Sequence, residues 1–269
     1  MQDTLGYIAA ILIGVTLGLI GAGGSILTVP ILVYLMGVKP VTATAYSLFV
    51  VGLTALVGAL AYMRQELVSY RIALLFSVPS FIGVFLARRF IMPAIPSEIG
   101  YVGEFLITKN FSVMVLFAIL MLLGSISMIR QRETIEKTPV RRFNRTLIFA
   151  EGFAVGLLTG LIGAGGGFLI IPALVVLAKL PMKLVVGTSL LIIAVKSLLG
   201  FTGDLGQVNI NWSLLLQFSL FAVVGIFIGS YASRFISGGK LKPAFGWFVL
   251  AMGVYVIVRE VVGGSGWAP

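Results

Sequence analysis

At 269 residues, 59% hydrophobic and only 10% charged, with a mean hydropathy of +1.12, the chain lies far outside the range of a soluble globular domain. Cysteine and histidine are both absent, which excludes disulfides, thiolate chemistry, imidazole bases and the usual zinc or haem ligands; no cofactor and no metal are expected. The net charge of +10 is spread over short loops between apolar runs rather than gathered on one face, which argues against nucleic acid as a partner.

Eight apolar segments follow one another: Leu5 to Met36, Val41 to Met63, Ile72 to Ile91, Phe111 to Ile129, Thr146 to Ala178, Leu184 to Thr202, Trp212 to Ile236 and Phe245 to Val258. Runs of about 20 residues suit helices crossing roughly 30 Å of hydrocarbon, and they lack the short alternation of a membrane β-barrel. An all-α polytopic membrane protein is predicted. Met1 to Ala10 carries an acid and no base ahead of its apolar run, so no cleaved signal peptide is expected.

The first and fifth segments are too long for one span and are interrupted by small residues. Gly18 to Pro30 reads GLIGAGGSILTVP, and Gly160 to Pro172 repeats it as GLIGAGGGFLIIP. Shifting by 142 residues superposes Gly18–Gly58 on Gly160–Gly200 without a gap, with 16 of 41 positions identical. A helix tolerates such glycine runs poorly and must break there. Within a bilayer a break survives only when buried in protein or lining a wet cavity.

Charge separates parallel from inverted halves, because cytoplasmic loops collect Lys and Arg. With eight crossings the cations divide evenly. With the first and fifth segments re-entrant, 13 fall on one side and Lys39, Arg88, Arg89, Lys109 and Arg259 on the other, with Lys196 inside the membrane. Three crossings per half is odd, so the second half enters upside down. The expectation is an N-terminal repeat over 1–129, a basic cytoplasmic linker over 130–145 and an inverted C-terminal repeat over 146–269, with both termini outside. Inverted repeats with broken helices are a recurring plan of secondary transporters.

At these residues the sequence resembles the TauE/SafE family of sulfite-exporter-like permeases. The resemblance runs from about Gly14 to Arg259, and its most specific part is the doubled G-x-x-G-A-G-G-[SG]-x-x-x-x-P element followed by a Ser-bearing helix. It implies an inner-membrane permease, not an enzyme, that exports or imports a small sulfur-containing or organic anion such as sulfite, a sulfonate like sulfoacetate, or thiosulfate. Cysteine-dependent thiosulfate importers of the other group would need thiols that this chain lacks.

Helix N-termini attract anions through unpaired N–H groups and the macrodipole. Half-helices starting at Gly24-Ser25 and Gly166-Gly167 form a candidate cradle of Gly23, Gly24, Ser25, Gly165, Gly166 and Gly167, against the alternative of small-residue helix packing. Lys196, deep within a span, is a candidate anion contact; pairing with Asp204 and snorkelling are its alternatives. Seven residues is nearly two turns, so Ser189 shares a face with Lys196, as Ser47 does with Thr54. Thr44 and Thr188 offer further hydroxyls, or simply bond back to a carbonyl one turn earlier. Gln65 and Gln207 are candidate gates or plain loop residues; Glu151 and Asp204 are candidate carriers of a coupling proton or capping acids. Expected partners are a small anion, the lipid bilayer and a coupling proton or ion, with a homodimer left open. A passive anion channel and a carboxylate permease stay open as alternatives; a membrane enzyme lacks the acid–base groups it would need.

Overall fold

The computed structural model describes residues 2–102, 105–130, 145–176, 182–233 and 238–262; the linker expected at 130–145 lies almost wholly outside them. Helix α1 (Gln2–Ile20) stops at Gly21, whose φ of 74° and ψ of −144° suit only a residue without a β-carbon. A 3-10 helix over Ala22–Leu27 leads into α2 (Thr28–Tyr34), and Met36 returns to pack on Gly6 at the start of α1. The first apolar stretch therefore turns back to the end from which it came.

Helix α3 (Pro40–Met63) starts with proline at its first position, where no amide partner is lost. Helix α4 (Tyr70–Leu86) runs on through a π-helical turn, Ala87–Ile91, into the short α5 (Met92–Ala94). Strands β1 (Glu98–Val102) and β2 (Phe105–Thr108) then pair antiparallel before α6 (Lys109–Arg130). This small hairpin is absent from the sequence reading, because its few β-branched and aromatic residues sit in what composition marks only as a loop. The second half follows the same plan: α7 (Arg145–Ile162), the break at 163–166, α8 (Gly167–Val176), α9 (Met182–Phe201) with a 3-10 end over Thr202–Asp204, α10 (Trp212–Ala232) and α11 (Gly238–Val262).

Among the described residues six helical stretches are long and apolar enough to cross a membrane, three in each half: Pro40–Met63, Tyr70–Ala94, Lys109–Arg130, Leu184–Asp204, Trp212–Ala232 and Pro243–Val262. The protein is an all-α polytopic membrane protein. Its outward faces carry Leu74, Leu220 and Phe227, side chains that belong in hydrocarbon rather than water.

The offset of 142 recurs in the packing. A β-carbon on Gly14 would run into Ala222, and one on Gly156 into Ser80, the residue equivalent to Ala222. Gly18 lies on Ile226 and Gly229 as Gly160 lies on Val84 and Ala87. Both series rise together along the chain, so α1 lies parallel to α10, and α7 parallel to α4, at backbone-to-backbone distance. Without a hydrophobic driving force between helices in lipid, such close approach over small residues is what holds them together. Helices α3 and α9, equivalent by the repeat, cross antiparallel: Gly52 meets Leu198 and Gly58 meets Leu190. That register puts Thr54 and its counterpart Lys196 near the crossing. One apolar cluster, with Ile13, Leu17, Leu48, Phe117 and Phe218, reaches both breaks through Ile26 and Ala164, and a second, with Phe76, Ile148, Ile170 and Ile192, packs around α8.

Candidate functional site

The second break is built by three left-handed glycines, Gly163, Gly165 and Gly166, with φ of 70°, 64° and 67°. They turn the chain so that α8 starts at Gly167, with the positive end of its dipole inside the protein. A β-carbon on Gly165 would lie 2.5 Å from Val51 Cγ1 and 3.3 Å from Ser25 Cβ, so the two breaks face each other. Gly163 packs on Thr44, and Gly21 on Val186, which is Thr44's counterpart.

The first break differs from expectation. A half-helix starting at Gly24-Ser25 is replaced by a 3-10 helix that holds Gly23, Gly24 and Ser25, with α-helix only from Thr28. Gly24 is pressed against Leu17 N and Thr16 Oγ1, at 2.5 and 2.7 Å from where its β-carbon would be. The tighter turn keeps the chain in that narrow space, whereas the left-handed Gly165 and Gly166 let the second half open directly into α8. Ser25 is fully buried.

Lys196 closes the group. Its side chain is buried, and Nζ donates to Thr159 Oγ1 at 2.9 Å; the Thr159 hydroxyl in turn donates to Gly156 O at 3.1 Å. Nζ lies 2.9 Å from the position a β-carbon on Gly166 would take. Of the three ammonium donors, one is used by Thr159, and no carboxylate among the described residues lies within ion-pair distance of Lys196. The alternative pairing with Asp204 does not form: Asp204 Oδ2 sits 3.3 Å from Arg88 Nε instead. Snorkelling is likewise excluded by full burial. Thr159 went unnoticed in the sequence because its counterpart is Leu17, so the repeat gives no signal there; its place one turn before Gly163 is the only hint.

Residues 6–256 match the family described as "Sulfite exporter TauE/SafE". The chain belongs to that family. A "Probable membrane transporter protein" of Xylella fastidiosa (strain Temecula1 / ATCC 700964) is 30% identical over 257 residues, covering 93% of this chain and 92% of the relative. The "Probable membrane transporter protein YunE" of Bacillus subtilis (strain 168) is 28% identical over 290 residues, covering 96% and 95%. No solved structure matches.

In this TauE/SafE protein the remaining hydroxyls divide clearly. Thr44 donates to Val41 O at 2.7 Å, Thr54 to Val50 O at 2.6 Å and Ser189 to Val186 O at 2.9 Å, each bonding back to a carbonyl one turn earlier in its own helix. Thr188 accepts the Ser69 amide at 3.0 Å, tying α9 to the start of α4. Ser47 Oγ is buried and has no hydrogen-bond partner among the described residues. Gln65 and Gln207 are exposed at helix ends, and Gln65 bonds back to Ala61 O. Glu151 is half-buried on α7, with Oε2 enclosed and without a hydrogen-bond partner among the described residues. One residue assigned to the outer loops is misplaced by charge counting: Arg88 is 1% exposed, inside the protein, because the π-turn carries its side chain toward Asp204 rather than to solvent.

Proposed function

We propose that the protein is a secondary transporter of a small oxyanion, sulfur-containing such as sulfite or a sulfonate, or a carboxylate. The anion is held between Gly165, Gly166 and Gly167 at the start of α8, Ser25 from the facing break, and the Lys196 ammonium, with Ser47 and Ser189 on the flanking helices. The observation that carries this reading is Lys196: a fully buried side chain in a membrane span, with donors to spare and no carboxylate counter-ion among the described residues, beside the left-handed glycines that begin α8. A cation in that position is most economically neutralised by cargo.

The halves, 1–129 and 146–269, are taken as inverted repeats about a two-fold axis in the membrane plane. The antiparallel crossing of α3 with its counterpart α9 supports this, since a two-fold axis that reverses a spanning helix is perpendicular to it. Inverted halves about a central site suit alternating access. Both termini then lie outside the inner membrane, with the basic 130–145 linker in the cytoplasm. A coupling proton on Glu151 would complete a secondary transporter. The direct test is thermal-shift and calorimetric titration of purified protein with sulfite, sulfoacetate, thiosulfate, acetate and chloride. A selective rise in melting temperature with one oxyanion is expected. No response to any of them refutes the reading.

A further inference from the structure

Arg88 and Asp204 form a second charged group that the Lys196 site does not use. Arg88 comes from the π-turn after α4, Asp204 from the 3-10 end of α9, so the pair joins the two halves of the chain. Both side chains are buried, at 0% and 3% exposure. The contact is lopsided. Nε lies 3.3 Å from Oδ2 without hydrogen-bond geometry, and Nη1 and Nη2 find no acceptor among the described residues. A guanidinium carries five N–H donors in a fixed fork matched to two oxygens of an oxyanion. Buried donors in native proteins are nearly always satisfied. Here the outer edge of the fork is not.

The local charge points the same way. Lys109, at the start of α6, lies within electrostatic reach of Arg88, and its ammonium donates to Met92 O. Arg88 and Asp204 are buried and cancel, and the half-buried Lys109 beside them tips the local balance positive, which favours an arriving anion. Gly203, whose β-carbon would lie 3.0 Å from Arg88 Cβ, lets the α9 end come this close. The repeat equivalents of Arg88 and Asp204 are Ser230 and Tyr62, so the duplicated fold has no need of an ion pair here. Asp204 follows Lys196 by eight residues on the same helix, about 12 Å along its axis.

We propose that Arg88 is a second anion-holding residue, about two helical turns from Lys196, with the Nη1/Nη2 edge of its guanidinium as the oxyanion seat and Asp204 as the resident counter-ion with which the anion competes. The inference rests on the reading of the protein as an oxyanion transporter, and adds a second seat on the same route. While the anion is elsewhere Asp204 keeps Arg88 from standing alone; when an oxyanion arrives, two strong donors are already available to it. A pair that served only to join helices would gain nothing from unfilled donors.

The test is sulfite titration, by thermal shift and calorimetry, of detergent-purified wild type, Asp204→Asn, Arg88→Lys and the double variant Lys196→Met/Asp204→Asn. Asp204→Asn removes the competitor, so it should melt lower than wild type without anion, yet show a larger sulfite-induced rise and roughly tenfold tighter binding. The double variant should still respond to sulfite, through Arg88. Arg88→Lys keeps charge but loses the fork, and should weaken sulfite relative to chloride by roughly tenfold; it serves as the deciding arm if Asp204→Asn is not recovered folded. An Asp204→Asn protein whose sulfite response equals or falls below wild type, or an Arg88→Lys protein with unchanged anion selectivity, makes the pair a structural one and overturns the inference alone. A wild type without response to any oxyanion overturns both this seat and the transporter reading.

Discussion

Replacing Lys196 by methionine keeps most of the side-chain volume and removes the ammonium, and the structure sets the sign of two separate effects. A cation at a helix centre costs about 2.5 to 3.5 kcal/mol on insertion scales. The bond to Thr159 returns about 1 kcal/mol of that, and the Thr159 hydroxyl keeps its own bond to Gly156 O when Lys196 is gone. Unliganded Lys196→Met should therefore be about 1.5 to 2.5 kcal/mol more stable than wild type. At about 2 to 4 °C per kcal/mol for a chain of this size, the melting temperature rises by about 3 to 10 °C. Binding moves the other way. A hydrogen bond to a charged partner contributes about 1.5 to 3 kcal/mol, so the dissociation constant for the cargo anion should rise about 10- to 150-fold. Melting curves without anion and calorimetric titration with sulfite, on both proteins in the same detergent, measure both numbers. Full affinity in the methionine variant, or a lower melting temperature with affinity intact, would show that Lys196 supports the fold and does not meet the anion.

Three further outcomes follow from the same geometry. Gly166→Ala puts a β-carbon at φ +67° against Thr159 and 2.9 Å from Lys196 Nζ, so stability should fall by about 1 to 2 kcal/mol and titration should show anion binding weakened at least roughly tenfold; unchanged binding would remove Gly166 from the seat. Gly156→Val drives a branched side chain into the Ser80 backbone where α7 meets α4, and should lower the melting temperature by about 5 to 10 °C, whereas the same change at the open Gly206 meets no neighbour and costs only its left-handed φ. Gln65→Cys and Gln207→Cys occupy equivalent, exposed positions in a chain without cysteine. Inverted halves require a membrane-impermeant thiol reagent to reach them from opposite sides in intact cells; labelling of both from one side means parallel halves.

Much of the architecture was legible because it depends on quantities that a linear chain carries. Length and hydropathy decide what can cross a bilayer, and consecutive glycines decide where a helix stops, so the breaks at Gly21 and Gly163 follow from spacing, and the sidedness of the loop charges reduces eight apolar segments to three spans per half. Duplication carried information further: because the contacts of Gly14 and Gly18 recur at Gly156 and Gly160 with the sequence offset, an alignment of the halves already implied a repeated packing. Lys196 could be singled out because a charge inside a span is costly wherever its helix sits.

What only tertiary structure decided were pairings between residues far apart in sequence. That Lys196 bonds to Thr159, 37 residues away, depends on how α7 lies beside α9. Asp204 is a loop acid by composition, and Arg88 a loop base; the π-turn and the close approach at Gly203 turn them into a buried pair. The hydroxyls show the same limit, since Thr44, Ser47 and Ser189 share one chemistry in the sequence, and only their surroundings leave Ser47 without a partner among the described residues while the other two bond to their own helices. Hydropathy and glycine content are properties of segments and survive averaging along the chain. Which donor meets which acceptor is set by helix rotation and register, where a displacement of one residue turns a side chain by about 100° and changes its neighbours entirely.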